Sequence, residues 1–452
     1  MINNVSFSGV LHMKTFNMGG VHPPDVKTKT SDKSIERYPL PKTVVLPLSM
    51  HLGAPCEPLV KKGDTVKTGQ KIADSEKAVS APIHASITGK VKKIEALHHP
   101  LGPRYRSILI EGDGEDEWIE GVDPSMFDKD APKDVDFSKV SEFKQKIREA
   151  GIVGLGGAAF PTHIKLSPPG DKKIDTLIIN GAECEPFLTA DHRLMLEKPR
   201  TIIFGTRIIA EILGVKNIYL AIESNKPDAI EALKPLAGEF DINMASCETK
   251  YPEGGEKQLI NAVTGREVPS GKLPLEVGCV VQNVGTVAAV YEAVALNKPL
   301  VERVLTVTGT AVKNPRNLLV RLGTSFSELL EYCGYEKEDK SEIIMGGPMM
   351  GKAQKYIDVP VVKGTSGIVA LKPEDVVVLE HRPCIRCGQC VSACPMGLNP
   401  TSLAIRVEKQ EYEDLMKDGI MDCMECGSCS FICPSKRRLV HWIRVGKMEV
   451  KK

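Results

Sequence analysis

Residues 384–395 read Cys-Ile-Arg-Cys-Gly-Gln-Cys-Val-Ser-Ala-Cys-Pro, and residues 423–434 read Cys-Met-Glu-Cys-Gly-Ser-Cys-Ser-Phe-Ile-Cys-Pro. Both stretches follow the pattern C-x2-C-x2-C-x3-C-P. Three thiolates at steps of three residues hold three irons of one cubane cluster, and the fourth thiolate, displaced by one extra residue, points to a neighbouring cluster. The two stretches therefore predict two 4Fe-4S clusters that exchange one ligand each.

This exchange divides the eight cysteines into two sets of four. One predicted set is Cys384, Cys387, Cys390 and Cys433, and the other is Cys423, Cys426, Cys429 and Cys394. Two structural zinc sites are the alternative, but such sites usually combine separated C-x2-C pairs. Adjacent cubanes without an open coordination site transfer single electrons, so the pattern indicates an electron-transfer domain.

The predicted cluster domain covers residues 373–452. Its two motifs are separated by PTSLAIRVEKQEYEDLMKDG at residues 400–419, whose length and spacing predict a helix. A helix in this place is typical of a helical dicluster ferredoxin rather than of the compact β-hairpin kind.

Composition excludes several other classes of protein. Of the 452 residues, 59 are Lys or Arg and 58 are Asp or Glu, so the net charge is +1 and we expect no nucleic-acid partner. Cysteines that cluster at one end of a long chain are not a disulfide framework. No window approaches the ~18 uncharged apolar residues of a membrane span. The N-terminus lacks a secretory signal, so we expect a cytosolic or peripheral protein without a transmembrane segment.

Outward from the cysteines, the rest of the chain predicts a multidomain α/β protein. Gly and Pro without periodicity predict an extended arm over residues 1–40, and short β-branched runs between turn signals predict a β domain over 41–112. The acidic stretch 113–135 is typical of a solvated linker. Strands and helices alternate over 136–300, which predicts a parallel, Rossmann-like α/β domain. Residues 301–362 predict a compact α+β insert.

A glycine-rich loop, GIVGLGGAAFPTHIK at residues 151–165, precedes a possible helix in the α/β domain. Gly154, Gly156 and Gly157 would let backbone N–H groups approach a phosphate closely, and Lys165 would add a positive charge. The spacing matches neither the P-loop nor G-x-G-x-x-G. On these residues alone, a simple turn remains the alternative to a phosphate site.

The loop is similar to the flavin-binding segment of the NADH-oxidising flavoprotein subunits of respiratory complex I. Three later stretches agree in order, at residues 180–186, 251–256 and 281–286. The resemblance implies bound FMN, with Phe160 and Glu185 near the nicotinamide nucleotide. The residues it implies at the flavin are Gly154, Gly156, Gly157, Lys165, Asn180, Glu183, Glu256, Asn283 and Thr286.

Two positions depart from the complex I pattern. Leu155 stands where that pattern has Arg, and Ala182 stands where it has Asp. The contacts to the flavin phosphate and isoalloxazine are therefore expected to differ. A solvated acidic loop and a helix cap at Asn283 are the alternative explanations of these stretches.

Redox stoichiometry also favours a flavin beside the clusters. NADH releases a hydride, which carries two electrons, whereas each cubane accepts one. A flavin converts between the two, and no proton-transferring catalytic side chain is needed for that step. We therefore expect a chain of carriers from NADH through FMN to the clusters.

The N-terminal half resembles a narrower family. Residues 16–27 (FNMGGVHPPDVK), 39–58 (PLPKTVVLPLSMHLGAPCEP) and 80–91 (SAPIHASITGKV) are similar to the C subunits of the Rnf ion-translocating electron-transport complex. The resemblance extends over nearly the whole chain. It implies a β barrel-sandwich hybrid over 41–112 and a soluble-ligand-binding β-grasp-like module over 301–362.

The same resemblance implies the activity and the partners. The chain would be a peripheral subunit on the cytoplasmic face of the cell membrane, in a ferredoxin:NAD+ oxidoreductase coupled to ion translocation. Its partners would be the other subunits of the membrane-bound complex, including an iron-sulfur subunit that interacts with ferredoxin. Its cofactors would be FMN and two 4Fe-4S clusters, with NAD(H) as substrate.

Two other functions are compatible with parts of the sequence. Residues 74–91 resemble lipoyl and biotinyl carrier domains, with Lys77 as the modified residue, but Lys77 lies closer to Pro82 than in the lipoyl pattern and lacks the Met-Lys-Met of biotin carriers. From the glycine loop onward the chain resembles cobalamin reductases of bacterial microcompartments. Those proteins begin near the loop, so the N-terminal arm and β domain argue against that class.

Overall fold

An N-terminal arm, four domains and one connecting segment follow one another along the chain. The computed structural model describes residues 13–376 and 382–451. The domain order agrees with the predicted order of β domain, α/β domain, α+β insert and cysteine domain.

The described part of the arm, residues 13–40, is held by other domains at several points. Lys14 and Val21 form isolated β-bridges with Cys247 and Tyr251 of the α/β domain. Further along, strand β1 (Ile35–Arg37) pairs with a strand of the α+β insert. The arm therefore connects domains that lie far apart in the sequence.

Seven strands form the β domain. Their bounds are β2 Thr43–Pro47, β3 Glu57–Pro58, β4 Thr65–Val66, β5 Lys71–Asp74, β6 Ile83–His84, β7 Gly89–His98 and β8 Arg104–Gly112. They make two antiparallel sheets, in the orders β2-β8-β7-β4 and β3-β5-β6. Alternate residues face the interior, so Val44 and Leu46 pair with Ile110 and Ile108, and all four are fully buried.

Residues 113–135 connect this domain to the next one, and the prediction of a solvated linker is wrong for two aromatic residues. Trp118 and Phe127 pack edge to face with ring centroids 4.9 Å apart, and both belong to the largest hydrophobic core. Trp118 also forms a β-bridge with Thr68. The acidic composition of the segment did not predict that these two aromatic side chains would be buried.

The α/β domain alternates strands and helices, as predicted. Its helices are α1 Val140–Glu149, α2 Thr162–Lys165, α3 Ala190–Glu197, α4 Pro199–Leu213, α5 Pro227–Gly238, α6 Glu256–Thr264 and α7 Val284–Leu296. Its strands are β9 Thr176–Gly181, β10 Asn217–Glu223, β11 Asn243–Cys247 and β12 Cys279–Asn283.

The four strands are parallel and lie in the order β11-β10-β9-β12. Helix α4 begins with Pro199 and is followed by Gly214 in the left-handed conformation, which are usual start and stop signals. Helix α7 is apolar on every side because it packs against both the sheet and α4.

The α+β insert is built on a six-stranded mixed sheet. Its elements are β13 Glu302–Thr308, β14 Arg316–Arg321, α8 Phe326–Tyr332, β15 Glu342–Met345, β16 Lys352–Ala353 and β17 Gly367–Leu371. The order is β1-β14-β13-β17-β15-β16. The sheet continues beyond the predicted end at residue 362, because β17 lies between β13 and β15.

Short helices dominate the cysteine domain. They are α9 Gln389–Ser392, α10 Pro400–Glu408, α11 Ser428–Phe431 and α12 Leu439–Glu449. The helix predicted over 400–419 is therefore too long. The chain turns at Gln410, which has a left-handed φ of 62°, and folds back so that Leu415 and Ile420 are buried in the core between α10 and α12.

The contact between α4 and α7 leads to a stability prediction. A Cβ on Gly205 of α4 would lie 2.1 Å from the carbonyl oxygen of Val287 in α7. We expect Gly205→Ala to force the helices apart and to cost about 1–3 kcal/mol, which lowers the thermal midpoint by several degrees. Gly238→Ala is the matched control, since a Cβ there meets nothing within 4 Å. Equal midpoints for the two variants in differential scanning fluorimetry would contradict the packing described for α4.

Candidate functional site

The carboxyl ends of β9 and β12 define the centre of the site. From β9 the sheet grows through β10 and β11 on one side, whereas β12 lies on the other side, so the chain changes direction at this point. Ligands of parallel α/β sheets bind at such a switch point, outside the carboxyl ends of the strands. Asn180 is the penultimate residue of β9 and Asn283 is the last residue of β12, and the two are direct register partners. Both residues were predicted to lie at the flavin.

Asn283 organises the start of α7. Its side-chain oxygen accepts hydrogen bonds from the backbone N–H groups of Gly285 and Thr286, and its amide donates to Asp191 at 2.6 Å. The hydroxyl of Thr286 accepts a hydrogen bond of 2.8 Å from the backbone N–H of Leu155. Asn283 is thus a helix cap, as the alternative interpretation held, and Thr286 ties α7 to the glycine loop.

The glycine loop presents exposed backbone beside this helix. Gly154 donates to the carbonyl of Phe160 at 2.8 Å, which closes the base of the loop. Gly156 and Gly157 lie at its exposed tip. Gly157 has a φ of 134°, and a Cβ there would meet nothing within 4 Å. The tip is therefore an open backbone surface of the kind that accommodates a phosphate.

Lys165 lies at the end of α2, below the loop. Its ammonium group donates to the carboxylate of Glu256 and, at 2.7 Å, to the carbonyl of Val281 in β12. The predicted residues Lys165 and Glu256 are thus an ion pair, with both side chains about one third exposed. On the other side of Asn283, the side chain of Asn180 donates to the carbonyl of Gly254 at 2.9 Å.

Glu183 joins the segment after β9 to the start of α3. Its two carboxylate oxygens accept the backbone N–H groups of Asp191 and His192 at 2.8 and 3.1 Å, at the start of α3. Glu183 itself has a positive φ of 44°, so the segment that follows β9 is sharply turned. Two lysines hold this segment by its carbonyls: Lys27 of the arm bonds Glu183 at 2.9 Å, and Lys226 bonds Ala182 at 2.7 Å.

Asp191 is a site residue that the sequence did not reveal. Its carboxylate lies beside Glu183 and accepts the amide of Asn283. Burial, followed by the charge of Glu183, raises the pKa of Asp191 to about 7. Nothing in the sequence around Asp191 marks it, because it meets these partners only through the fold.

Glu185 faces the α+β insert. Its carboxylate accepts the backbone N–H groups of Met349 and Met350 at 3.0 and 2.8 Å, and the hydroxyl of Tyr251 lies 3.5 Å away. Burial raises the pKa of Glu185. Phe160, the other residue predicted near the nucleotide, is partly buried at the base of the glycine loop.

One predicted set of cysteines surrounds a single cavity. Cys394, Cys423, Cys426 and Cys429 line one small cavity together with apolar side chains such as Leu398. Burial raises the pKa of Cys429, and its neighbours Cys426, Cys423 and Cys394 raise it further. Cys394 comes from the first motif and the other three from the second, so the crossed grouping is present in the fold. We call these four residues the inner quartet.

The other predicted set lies nearer the surface. Burial raises the pKa of Cys390, and the adjacent thiols of Cys433, Cys384 and Cys387 raise it further, which places these four residues around one another. Cys390 is buried, Cys384 and Cys433 are partly exposed, and Cys387 is exposed. We call this set the outer quartet. Its fourth member, Cys433, comes from the second motif.

The inner quartet lies directly against the α/β domain. The hydroxyl of Tyr251 donates to the carbonyl of Cys426 at 2.7 Å, and the side chain of Gln258 donates to the carbonyl of Pro395. The arm adds a third contact, in which Gly20 donates to the carbonyl of Ala393 at 3.0 Å. Since Tyr251 and Gln258 flank Glu256, the segment from Tyr251 to the first turn of α6 contacts the inner quartet and also contains a predicted flavin residue.

Four family models match successive parts of the chain. They are an RnfC barrel sandwich hybrid domain at residues 14–115, a Nuo51 FMN-binding domain at 147–292, an SLBB domain at 304–353 and a 4Fe-4S dicluster domain at 376–435. These matches confirm the multidomain α/β architecture with a barrel-sandwich hybrid, a flavin domain, a β-grasp-like insert and a dicluster domain. FMN and two 4Fe-4S clusters are thus the cofactors of this chain.

Curated relatives match almost the whole sequence. The chain is 50% identical over 438 residues to the C subunit of the proton-translocating ferredoxin:NAD(+) oxidoreductase complex of Clostridium ljungdahlii, with 97% of this chain and 94% of that protein covered. It belongs to the RnfC family. The C subunit of the Na(+)-translocating complex of Acetobacterium woodii is 45% identical, with 96% of both chains covered. The corresponding protein of Rhodobacter capsulatus is 42% identical, with 89% of this chain and 77% of that protein covered.

A solved structure supports the fold of this RnfC family member. An NAD+-reducing NiFe-hydrogenase in the H2-reduced state superimposes with a TM-score of 0.51 at 17% identity, covering 68% of this chain and 62% of that one. Among the residues that the structure describes, no helix combines the length and the apolarity needed to cross a membrane.

The residues present fit the two kinds of cofactor. At the exposed tip of the glycine loop, Gly157 offers open backbone where a flavin phosphate would bind, and the cavity of the inner quartet is lined by four cysteine thiols. Thiolates are the usual ligands of iron-sulfur clusters. Leu155 and Ala182 bring no charge at the two positions where the complex I pattern has Arg and Asp.

Asp191 leads to a prediction about pH. Its folded pKa of about 7 lies above the ordinary value of 3.8. Between these values Asp191 keeps, in the folded protein, a proton that it has lost in the unfolded chain, so its contribution to the free energy of unfolding falls as pH rises from about 4 to 7. In flavin-free protein, Asp191→Asn should remove this contribution and shift the slope of the free energy of unfolding against pH upward, by at most about 1.4 kcal/mol per pH unit. The measurement is the thermal midpoint at pH 4.5 to 7.5, with Asp171→Asn, at an exposed position, as control. Identical slopes for Asp191→Asn and the wild type would refute the raised pKa.

Proposed function

We propose that this chain is the peripheral electron-transfer subunit of a membrane-bound, ion-translocating ferredoxin:NAD+ oxidoreductase, located on the cytoplasmic face of the membrane. It exchanges electrons between NAD(H), FMN and two 4Fe-4S clusters. The observation that carries the proposal is the contact between Tyr251 and Cys426, which joins the edge of the flavin site to the inner quartet. The relatives from Clostridium ljungdahlii and Acetobacterium woodii bear the names of subunits of such complexes.

The flavin lies, in this proposal, at the switch point between β9 and β12. FMN converts between hydride transfer and single-electron transfer when it is bound. The glycine loop and the start of α7 receive its phosphate, and Asn180, Glu183 and Asn283 fix the walls of the site through the hydrogen bonds described above. Lys165 and Glu256 neutralise each other at the floor, so neither leaves an unbalanced charge near the isoalloxazine.

The two clusters are proposed to lie in sequence after the flavin, the buried one first and the more exposed one second. The inner quartet ligates the cluster next to the α/β domain, and the outer quartet ligates the cluster nearer the surface. Each cluster takes one ligand from the other motif, which holds the two halves of the domain together. Because Cys387 is exposed, the outer cluster is the one that partner subunits reach.

NAD(H) is proposed to stack on the flavin from the open side of the glycine loop, beside Phe160. Glu185 forms the far boundary of this cleft through Tyr251 and the backbone of the α+β insert. No side chain has to transfer a proton in this step. The residues exclude water and hold the nucleotide against the flavin.

Cobalamin reduction is the alternative that the sequence left open, and it is not favoured. The barrel-sandwich hybrid model at residues 14–115 and the RnfC relatives, which match almost the whole chain, cover the N-terminal part that cobalamin reductases lack. Fast cobalamin reduction by the purified protein without membrane partners would reverse this choice.

Anaerobic titration with NADH tests the proposed function. After reconstitution, the protein should contain FMN and about eight iron atoms with equal acid-labile sulfide. Stepwise NADH should bleach the flavin absorbance and then the broad cluster absorbance. If a protein with full cofactor content is not bleached by NADH, the proposed nucleotide site is wrong. Zinc in place of iron and sulfide would exclude the electron-transfer function altogether.

Cysteine variants test the crossed grouping. Cys394→Ser should remove the same cluster signal as Cys423→Ser, although Cys394 belongs to the first motif, and Cys433→Ser should remove the same signal as Cys390→Ser. The measurement is electron paramagnetic resonance of the dithionite-reduced proteins. Cys333→Ser is the control, because Cys333 is buried in the main hydrophobic core. Pairing of Cys394→Ser with Cys390→Ser would show that each motif holds its own cluster.

A further inference from the structure

Two buried cations lie on the inner side of the glycine loop, opposite its exposed tip. Arg303 is the second residue of β13, and Lys363 precedes β17. They are 6% and 0% exposed. Both side chains reach from the α+β insert to the α/β domain, where they donate to carbonyl oxygens of the loop.

Arg303 contacts the glycine loop at Leu155, the position where the complex I pattern has Arg. Its guanidinium donates to the carbonyl of Leu155 at 3.3 Å and to the carbonyl of Lys363. Next to this contact, a Cβ on Gly364 would lie 2.8 Å from the carbonyl oxygen of Gly157. The insert is thus packed against the back of the loop from Leu155 to Gly157.

Lys363 supports the beginning of the loop. Its ammonium group donates to the carbonyls of Gly151 and Pro82, at 2.7 Å each. Burial lowers its pKa to about 8. The imidazoles of His51 and His84, whose own pKa values are lowered by burial, are among its neighbours.

Neither cation has a close counter-ion in the structure. Among the described residues, no carboxylate oxygen lies within 4.0 Å of either side-chain nitrogen group. Asp191 is the carboxylate that acts on Arg303 from a greater distance. Because Asp191 has a pKa of about 7, it carries only part of a charge near neutral pH. Burial lowers the pKa of Arg303 to about 10, which is the effect of an incompletely compensated charge.

A buried cation without a counter-ion is destabilising, and an anion bound nearby removes that cost. The exposed side of the same loop is the surface that the proposed function gives to the flavin phosphate. Leu155 brings no charge of its own to this surface. A cation placed one backbone layer behind Leu155 acts on the phosphate through a region of low dielectric, where electrostatic attraction is strong.

We propose that Arg303 is a positioning residue that supplies, from behind the glycine loop, the positive charge for the flavin phosphate. It fixes the carbonyl of Leu155, so that the loop backbone faces outward, and its charge attracts the phosphate to that face. This inference rests on the proposed flavin site and deepens it. Lys363 holds the first residue of the loop in the same way.

FMN and riboflavin differ only in the phosphate, so their relative affinities test the inference. The dissociation constants of both are measured by flavin fluorescence with flavin-depleted, cluster-containing protein. Arg303→Gln, which removes the charge but keeps hydrogen-bond donors, should weaken FMN about tenfold and leave riboflavin within about twofold. Arg303→Lys should retain most of the preference for FMN. Equal weakening of both flavins, or of neither, overturns the inference.

Arg321→Gln is the matched control. Arg321 lies in β14 with a side chain 7% exposed, but it is paired with Asp116 and Glu302. The ratio of FMN to riboflavin affinity should not change in this variant. A change as large as that of Arg303→Gln would mean that general destabilisation, and not charge, sets the ratio.

A second measurement, of the phosphate pKa of bound FMN, uses only the wild type and a variant that keeps the positive charge. The second pKa of a free phosphate monoester is about 6. Phosphorus-31 NMR of FMN bound to the wild type and to Arg303→Lys should show a dianion that persists well below that pH. Titration at about pH 6 overturns the inference. A wild-type protein that binds riboflavin as tightly as FMN, or neither flavin, contradicts the proposed flavin site itself.

Discussion

The pairing of β9 with β12 is the constraint on which the rest of the structure depends. Because these strands are parallel and in register at Asn180 and Asn283, the two residues lie side by side at the same edge of the sheet. Asn283 then sets the start of α7, and Thr286 fixes the glycine loop beside it. The segment after β9 turns sharply toward α3. A single register thus positions a loop, a helix end and an acidic turn around one crevice.

Buried lysine and arginine side chains hold this crevice from several domains. Lys27 comes from the arm, Lys226 from the α/β domain, and Arg303 and Lys363 from the α+β insert. All four donate to backbone carbonyls of the loops around the crevice. A backbone carbonyl accepts a hydrogen bond whatever side chain its residue carries. These contacts therefore fix the loops without requiring particular residues in them. The arm and the insert, which lie outside the flavin domain in the sequence, are therefore part of its structure.

The sequence predicts features that depend on local spacing and misses those that depend on distant partners. The crossed cysteine grouping follows from residue steps within each motif, and α4 follows from Pro199 and Gly214 at its ends. The helix predicted over 400–419 is half as long in the structure, because burial of Leu415 and Ile420 outweighs local helix propensity. Asp191 and Arg303 have no local signature, because Asp191 accepts a hydrogen bond from Asn283 across 92 residues and Arg303 donates to Leu155 across 148 residues.

The unequal exposure of the two cysteine quartets has a consequence for handling the protein in air. Oxidants attack accessible thiolates and sulfides first. Cys387 is open to solvent, whereas three of the four cysteines of the inner quartet, Cys394, Cys426 and Cys429, are buried. Damage by oxygen would then proceed from the surface inward. A partly inactivated preparation would still be coloured by its flavin and inner cluster, yet it would have lost the cluster nearest the surface.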